Sequence, residues 1–379
     1  MMPGSLPEDR SPLDIISRFP KDLIAMNEQP KIRGAPGDTL WGILSHSVLA
    51  PSPLNTQPWA VTTRGDHTLD LFLETTRLLP HIDPTSRQAC ISCGAFIENL
   101  DIAAREVGLR TDIALFPSSW PGAIISPDQP VAEIEFTQDS RIAVDPLFSW
   151  IKVRHTNRRI FTKELIPSEV LSALAEASDE PYTTFGFSAD STFRQELVEL
   201  ITRATEITLT DGNRFSEIVS YVRILRTSGN TYPDGYGTRD IGLHGIHGWL
   251  LYLPLRVVPE RLKNDYAGGL LVRLVRKQAE SAAAWGWIAT KGNSRHDQVR
   301  AGRAYERVHL TAASVGLSLQ PMTHILESYQ GMEEVYGRFL NLIGIPDTHT
   351  VQVLFRLGYS DPETRRARRP VKDLFRLMH

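Results

Sequence analysis

GAFIENLDIAAREVGL, residues 94–109, and GRAYERVHLTAASVGL, residues 302–317, are the stretches whose reading decides the fold. Laid on one another without a gap, they match at Gly94 and Gly302, Glu98 and Glu306, and Ala104 and Ala312. The closing Val-Gly-Leu matches throughout. Both carry apolar residues at the spacing that gives a helix one buried face, and both run straight into a short apolar strand. Helices reuse such stripes, so similarity by chance is the competing explanation. Duplication predicts two copies of one α/β unit about a pseudo-twofold axis, a homodimer joined into one chain.

Outward from these helices the chain alternates between strand and helix signals. Ser86 is placed to cap the first helix and Gly108 to end it. Upstream, PWAVTTRG and TLDLFLE form a hairpin about RGDHT. DIALFP and VAEIEFTQ read as strands, as do LQPMTHI and HTVQVLFRLGY, while DIISRFPKDLIAM, TLWGILSHSVLA, PSEVLSALAEAS and STFRQELVELITRATEITL read as helices. Residues 227–250, rich in glycine and without periodicity, suit a lid or binding loop better than a linker. His244 and His247 lie within that segment.

Bulk properties narrow the class. The chain has 379 residues, 41% hydrophobic and 22% charged, with a net charge of -3. These are the proportions of a globular chain with ample core, and they offer no general attraction for nucleic acid or anionic lipid. The acidic, proline-containing start lacks the pattern of a secretory signal, and no apolar run reaches the ~18 residues of a membrane span. A cytoplasmic location is therefore expected. Cys90 and Cys93 form a lone C-x-x-C inside the first strong helix, where cysteine commonly serves as a small apolar side chain.

Three other stretches offer chemistry. PSPLNTQPW (51–59) is stiffened by prolines and presents Asn55 and Gln57 before a strand. It suits a reader of an amide-bearing planar ligand, and an Asn-led turn accounts for the same residues. RHTNRR (154–159) brings arginine forks beside the hydroxyl of Thr156, and RRARRP (365–370) adds a second basic cluster. Solvated basic surfaces look the same in sequence. Nothing matches a G-x-G-x-x-G or phosphate-loop motif, a metal-spaced histidine and acid set, or a G-x-S-x-G elbow. A reader of an amide edge, a phosphate cradle and Gln320-Pro321-Met322-Thr323 after a helix end together fit flavin mononucleotide (FMN).

These motifs resemble those of the FMN-binding nitroreductase family, and most closely its Acg-like branch. PSPLNTQPW is similar to the family's P-S-x-x-N-x-Q-P-W motif, RHTNRRIF to its phosphate motif, and VGLSLQPMT to the strand that runs along the flavin ring. RLGYSDPETRRARRP resembles its closing segment. The resemblance implies an α+β fold with three αβα layers, in which mixed sheets carry helices on both faces. It implies cofactor contacts from Asn55, Gln57, Arg154, His155, Thr156, Arg158, Pro321, Met322, Thr323, Arg366, Arg368 and Arg369. No catalytic acid or base can be named.

One departure is informative. Asn55 precedes Arg154 here, the reverse of the ordinary family order. Each half, 1–150 and 151–379, would then keep part of a site, leaving one FMN per chain under a lid. The implied activity is hydride transfer through the flavin to or from a small organic molecule: a nitroaromatic, a quinone or a biosynthetic intermediate. NAD(P)H is the implied electron donor. A covered flavin would instead suit a protein that sequesters FMN without turnover. The fused unit also leaves room for a further homodimer.

Overall fold

Alternating apolar residues place Trp59–Arg64 (β1) against Thr68–Leu73 (β2) as an antiparallel hairpin, with Trp59, Val61, Leu69 and Leu71 turned into the core. The computed structural model describes residues 36–65, 67–118, 126–177, 180–223, 233–237, 260–361 and 367–376. Pro36–Ser47 (α1) precedes the hairpin. Arg87–Glu106 (α2), Leu109–Leu115 (β3) and Ala132–Gln138 (β4) follow it, giving a four-stranded sheet in the order β1-β2-β4-β3.

The second sheet repeats the plan. Thr183–Ser188 (β5), Ala284–Lys291 (β6), Ser318–Pro321 (β7) and His349–Gly358 (β8) pair in the order β5-β6-β8-β7, again antiparallel throughout. Arg295–Ser314 (α7) stands between β6 and β7 as α2 stands between β2 and β3. The strand order and the helix position are thus the same in both units, and the fold is α+β and internally duplicated. Ser168–Ala177 (α3), Ser191–Thr210 (α4), Gly212–Ser220 (α5), Glu260–Glu280 (α6) and Glu333–Ile343 (α8) complete the larger unit. Strands β5 and β6 and helices α5 and α6 had no clear sequence signal. In β6, AWGWIATK, nearly every side chain is buried, so no alternation marks it.

Both faces of the second sheet are covered. Val353, Phe355 and Leu357 of β8 meet α3 and α7, whereas Val351 and Leu354 meet α4 and α8. The continuous burial of 351–358 follows from those two layers. Among the described residues, parallel pairing, expected of a mixed sheet, is confined to isolated bridges. One of these, Val61 to Phe375, joins the halves, and another docks Thr156, just after the first half, on Leu319 of the second sheet. Residues after the first sheet therefore dock on the second, and the C-terminal tail returns to the first.

The helix pair α2–α7 is the hinge of the design, and its matched glycines explain the matched sequences. A Cβ on Gly94 would lie 2.0 Å from Val299 O and 2.9 Å from Gly302 Cα. A Cβ on Gly302 would lie 1.9 Å from Ile91 O and 3.0 Å from Gly94 Cα. The backbones cross in contact, and only hydrogen fits between them. The matched acids also face the pseudo-axis. Glu98 binds Arg303 and Arg307 at 2.8 Å each, and Glu306 lies 3.1 Å from Arg154 Nε.

Two local expectations change. Ser86 occupies the cap position of α2 with φ 55° but makes no capping hydrogen bond. Asp83 does so instead, accepting from the Gln88 and Ala89 amides at 3.2 and 3.0 Å. The helix expected at DIISRFPKDLIAM (14–26) and most of the 227–250 segment, His244 and His247 included, fall outside the described residues. Cys90 and Cys93 are free and buried in the core, and burial pushes the Cys90 thiol up to about 12. Such thiols are packing groups. Among the described residues no helix is long and apolar enough to cross a membrane.

Candidate functional site

The loop Pro53–Gln57 is held in a conformation that few side chains adopt. Leu54, Asn55 and Gln57 all have positive φ, at 49°, 57° and 54°. Strain of this kind persists only where surrounding contacts over-determine it. Here Gln57 Nε2 donates to Pro233 O at 2.6 Å, while the Arg369 amide donates to Gln57 Oε1 at 2.8 Å. Asn55 Nδ2 donates to Gly235 O at 3.1 Å and to Ala367 O at 3.3 Å. The two amides therefore fasten the 233–237 strap and the tail across the first sheet. Asp234 secures the same strap through Arg77 (3.2 Å) and Arg223 (2.8 Å).

Beside this loop is a small pocket of about 30 Å³, lined by Ser52, Asn55, Arg154, His155, Thr156, Arg158 and Arg368, with Leu49 and Pro51. It shares Pro51, Ser52, Thr156 and Arg158 with a larger cavity of about 220 Å³. The larger cavity is walled by Pro321, Met322, Thr323 and His324 from the end of β7, by Gln88, Ile91 and Tyr305 from α2 and α7, and by Leu209, Ile218, Leu271 and Leu274 from the helices α4–α6. Residues 154–158 reach both spaces because their chain docks on β7: the Asn157 amide donates to Leu319 O at 3.1 Å. Asn157 itself, fully buried, binds Ser318 Oγ at 3.0 Å.

Of the expected site residues, Asn55, Arg154, His155, Thr156, Arg158 and Arg368 thus meet at one pocket, and Pro321, Met322 and Thr323 line the space next to it. Gln57 and Arg369 do not line either. Arg369 spends its guanidinium on Gln57 O, Trp59 O and Asp373 O, so the structure makes it a clasp for the tail rather than an anion contact. Arg366 lies outside the described residues.

Arg154 is more deeply engaged than its motif suggests. Its side chain is almost fully buried, with Nε 3.1 Å from Glu306, Nη1 3.2 Å from His309 Nδ1 and Nη2 2.8 Å from Leu49 O. An arginine can only donate, so His309 accepts at Nδ1 and carries its proton at Nε2, which donates to His155 O at 3.1 Å. Burial, reinforced by the Arg154 charge, holds His309 neutral. Burial also raises the Glu306 carboxyl to about 7, against the opposing pull of Arg154.

That shift has a sign. A carboxyl whose folded pKa exceeds its unfolded value stabilises the fold fully only below the unfolded value, and the contribution is lost as pH rises through the folded one. Between about pH 4.5 and 7, stability should therefore fall by of order 1–3 kcal/mol on account of Glu306. Chemical denaturation of Glu306→Gln across this range should show a flatter profile than the parent. Asp83, raised to about 7 chiefly by burial, should leave a residual slope in the variant.

A second arginine, Arg356, braces the cavity wall. It is fully buried on β8 and donates to Gln320 Oε1, Gln278 O and Ser281 Oγ, each at 2.8 Å, with its plane 3.6 Å from the Phe161 ring. Its charge meets neutral oxygens only, and burial lowers its pKa to about 9. Gln278 Nε2 in turn donates to Arg158 O at 2.6 Å. Arg158 lies 5.6 Å from the centre of the Tyr236 ring, and its buried Nη1 has no hydrogen-bond partner among the described residues. The Tyr305 hydroxyl, also buried at the cavity, has none among them either.

No family model matches the chain. "Putative NAD(P)H nitroreductase acg" of Mycobacterium tuberculosis is 25% identical over 338 residues, which cover 86% of this chain and 92% of that protein. The chain is similar to that protein over most of both their lengths. An uncharacterized protein of the same organism is 24% identical over 324 residues, 83% of this chain and 84% of its own. Among solved structures, the FMN-dependent nitroreductase NfnB of Mycobacterium smegmatis, in complex with NADPH, is 15% identical. It superposes with a TM-score of 0.38 over 61% of this chain and 96% of its own. An FMN-bound nitroreductase from Bacteroides fragilis is 17% identical, with a TM-score of 0.35 over 57% of this chain and 89% of its own.

Several site residues had no sequence signal of their own. Tyr305, His324, Gln88, Gln278 and Tyr236 line the cavity but stand inside helices or irregular loops without a motif. Only Tyr305 was reachable, since it neighbours the matched Glu306 in the repeated helix.

Proposed function

We propose that the chain is an FMN-dependent oxidoreductase of the nitroreductase type. The observation that carries this reading is the convergence of Asn55, Arg154, Thr156, Arg158 and Arg368 on one small pocket that opens into a larger, mostly apolar cavity. The chemistry of the set suits FMN. Three guanidinium groups, a histidine and a hydroxyl surround a space of phosphate scale, and the adjoining cavity carries two buried polar groups without partners among the described residues, Arg158 Nη1 and the Tyr305 hydroxyl. Buried polar groups left unpaired are costly, and a ligand that pairs them recovers that cost.

Arg154, His155, Thr156 and Arg368 would hold the phosphate. Arg158, Tyr305 and the 321–323 segment would hold the ring system. When bound, FMN supplies hydride transfer at its ring, and NAD(P)H is the proposed electron donor for a small organic substrate. The protein's part is to position and to tune. Arg158, oriented by Tyr236 and Gln278, sets a positive charge at the junction of the two spaces, where it favours a ligand that gains negative charge. Helices α4–α6 contribute apolar side chains that exclude water. We further propose that the chain divides as 1–150 and 151–379, each half supplying part of this one site: Asn55 from the first, the arginines from the second.

Two measurements test the reading. Anaerobic addition of NADPH or NADH to the flavin-loaded protein should discharge its yellow colour, while persistent colour would mark a sequestering protein instead. Arg158→Ala should weaken FMN binding by about 10- to 100-fold, as expected for loss of a charge-assisted contact. Flavin fluorescence titration measures this, and unchanged affinity removes Arg158 from the site.

A further inference from the structure

The duplicated fold contains its own control for the site. The register that lays Gly94 on Gly302 also lays Gln88 on His296 and Phe116 on His324. Gln88 and His324 both line the candidate cavity, and Phe116 and His296 both line a separate cavity of about 740 Å³. By these two pairs the second space is the pseudo-symmetric mate of the first, although Thr85–Asn293 and Arg87–Arg295, in the same register, both line the second. In the mate, Phe116 packs edge-on against His296, with ring centres 5.0 Å apart. At the candidate site, the residue equivalent to that phenylalanine is a histidine.

His324 has no such packing partner and no polar one. Its ring nitrogens make no hydrogen bond to any described residue, and burial keeps the imidazole neutral by lowering its pKa to about 4. Its neighbour Gln88 is already committed, donating to Glu327 Oε1 at 2.6 Å and accepting from Thr323 Oγ1 at 3.2 Å. Helices α4–α6 face the same cavity with Leu209, Ile218, Leu271 and Leu274, beside Thr205. A neutral imidazole offers one N–H donor and one acceptor, and in an apolar cavity an unused donor is a discriminating feature.

We propose that His324 is a specificity-determining residue that donates a hydrogen bond to an acceptor oxygen at one end of a planar, otherwise apolar substrate. This inference rests on the flavoenzyme reading above. Helices α4–α6 would take the apolar body of the same molecule.

The test uses binding to oxidised, FMN-loaded protein, where no turnover occurs, with 1,4-naphthoquinone and naphthalene as probes. They share a ring skeleton and differ in acceptor oxygens. The parent should bind the quinone more tightly. His324→Phe, which takes its shape from the mate position, should lose about tenfold in quinone affinity while naphthalene affinity and FMN loading stay unchanged. His324→Gln, which restores a donor, should recover most of the loss. Equal losses for both probes, or no loss for either, would overturn the proposal, as would a parent that cannot distinguish them. A chain that takes up no FMN in the prior loading step would instead overturn the function reading, and this inference with it.

Discussion

Gly302→Ala is expected to destabilise the protein by at least ~3 kcal/mol, which for a chain of this size lowers the melting temperature by roughly 10 °C. The new methyl carbon would sit 1.9 Å from Ile91 O, a backbone atom that cannot swing aside. Relief requires α2 and α7 to move apart, and these helices carry both the packing between the halves and the Arg154–Glu306 pair. Loss of soluble protein would be the extreme form of the same effect. Gly337→Ala is the control: it lies inside α8 with nothing within 4 Å of the added carbon, so alanine should be neutral or stabilising by up to ~1 kcal/mol. Thermal unfolding followed by circular dichroism compares the two. Similar melting temperatures for both variants would mean that the helices do not cross in contact.

Arg154→Ala should cost about 3–5 kcal/mol near neutral pH, because it strands a fully buried carboxyl at Glu306 and removes the donor to His309 and Leu49 O. The penalty should shrink at pH 5, where Glu306 is protonated and no buried charge is left unpaired. Adding Glu306→Gln should recover part of the stability at pH 7 to 8 for the same reason. Denaturant titrations of the single and double variants at the two pH values measure this directly, and a pH-independent penalty would contradict the pairing. The double variant also separates two roles that the single one confounds. If it folds but binds FMN more weakly than the parent, Arg154 contributes to the ligand as well as to the core.

These outcomes show why the basic motif was legible and its roles were not. Arg154, Thr156 and Arg158 stand at alternate positions in one short stretch, so their grouping is a local property. That Arg154 also pairs with a carboxyl from α7, while Arg158 Nη1 has no partner among the described residues, depends on residues far along the chain. The Asn55 and Gln57 amides make the same point. Their stiff loop was evident from its prolines, yet their hydrogen bonds go to Gly235, Pro233 and the tail, segments that sequence distance hides.

The sequence alone determined what is periodic or local: the α2 and α7 helices, the hairpin, the strands that alternate, and the repeat that makes two units of one chain. It also marked the arginine clusters, since charge type and spacing need no third dimension. Tertiary structure decided the rest. Which strands are buried on both faces, which arginine clasps a tail and which faces a cavity, and that a lone histidine looks into an apolar space are all set by packing between distant segments. Desolvation acts through whatever surrounds a group in space, and its neighbours in the chain carry little record of that.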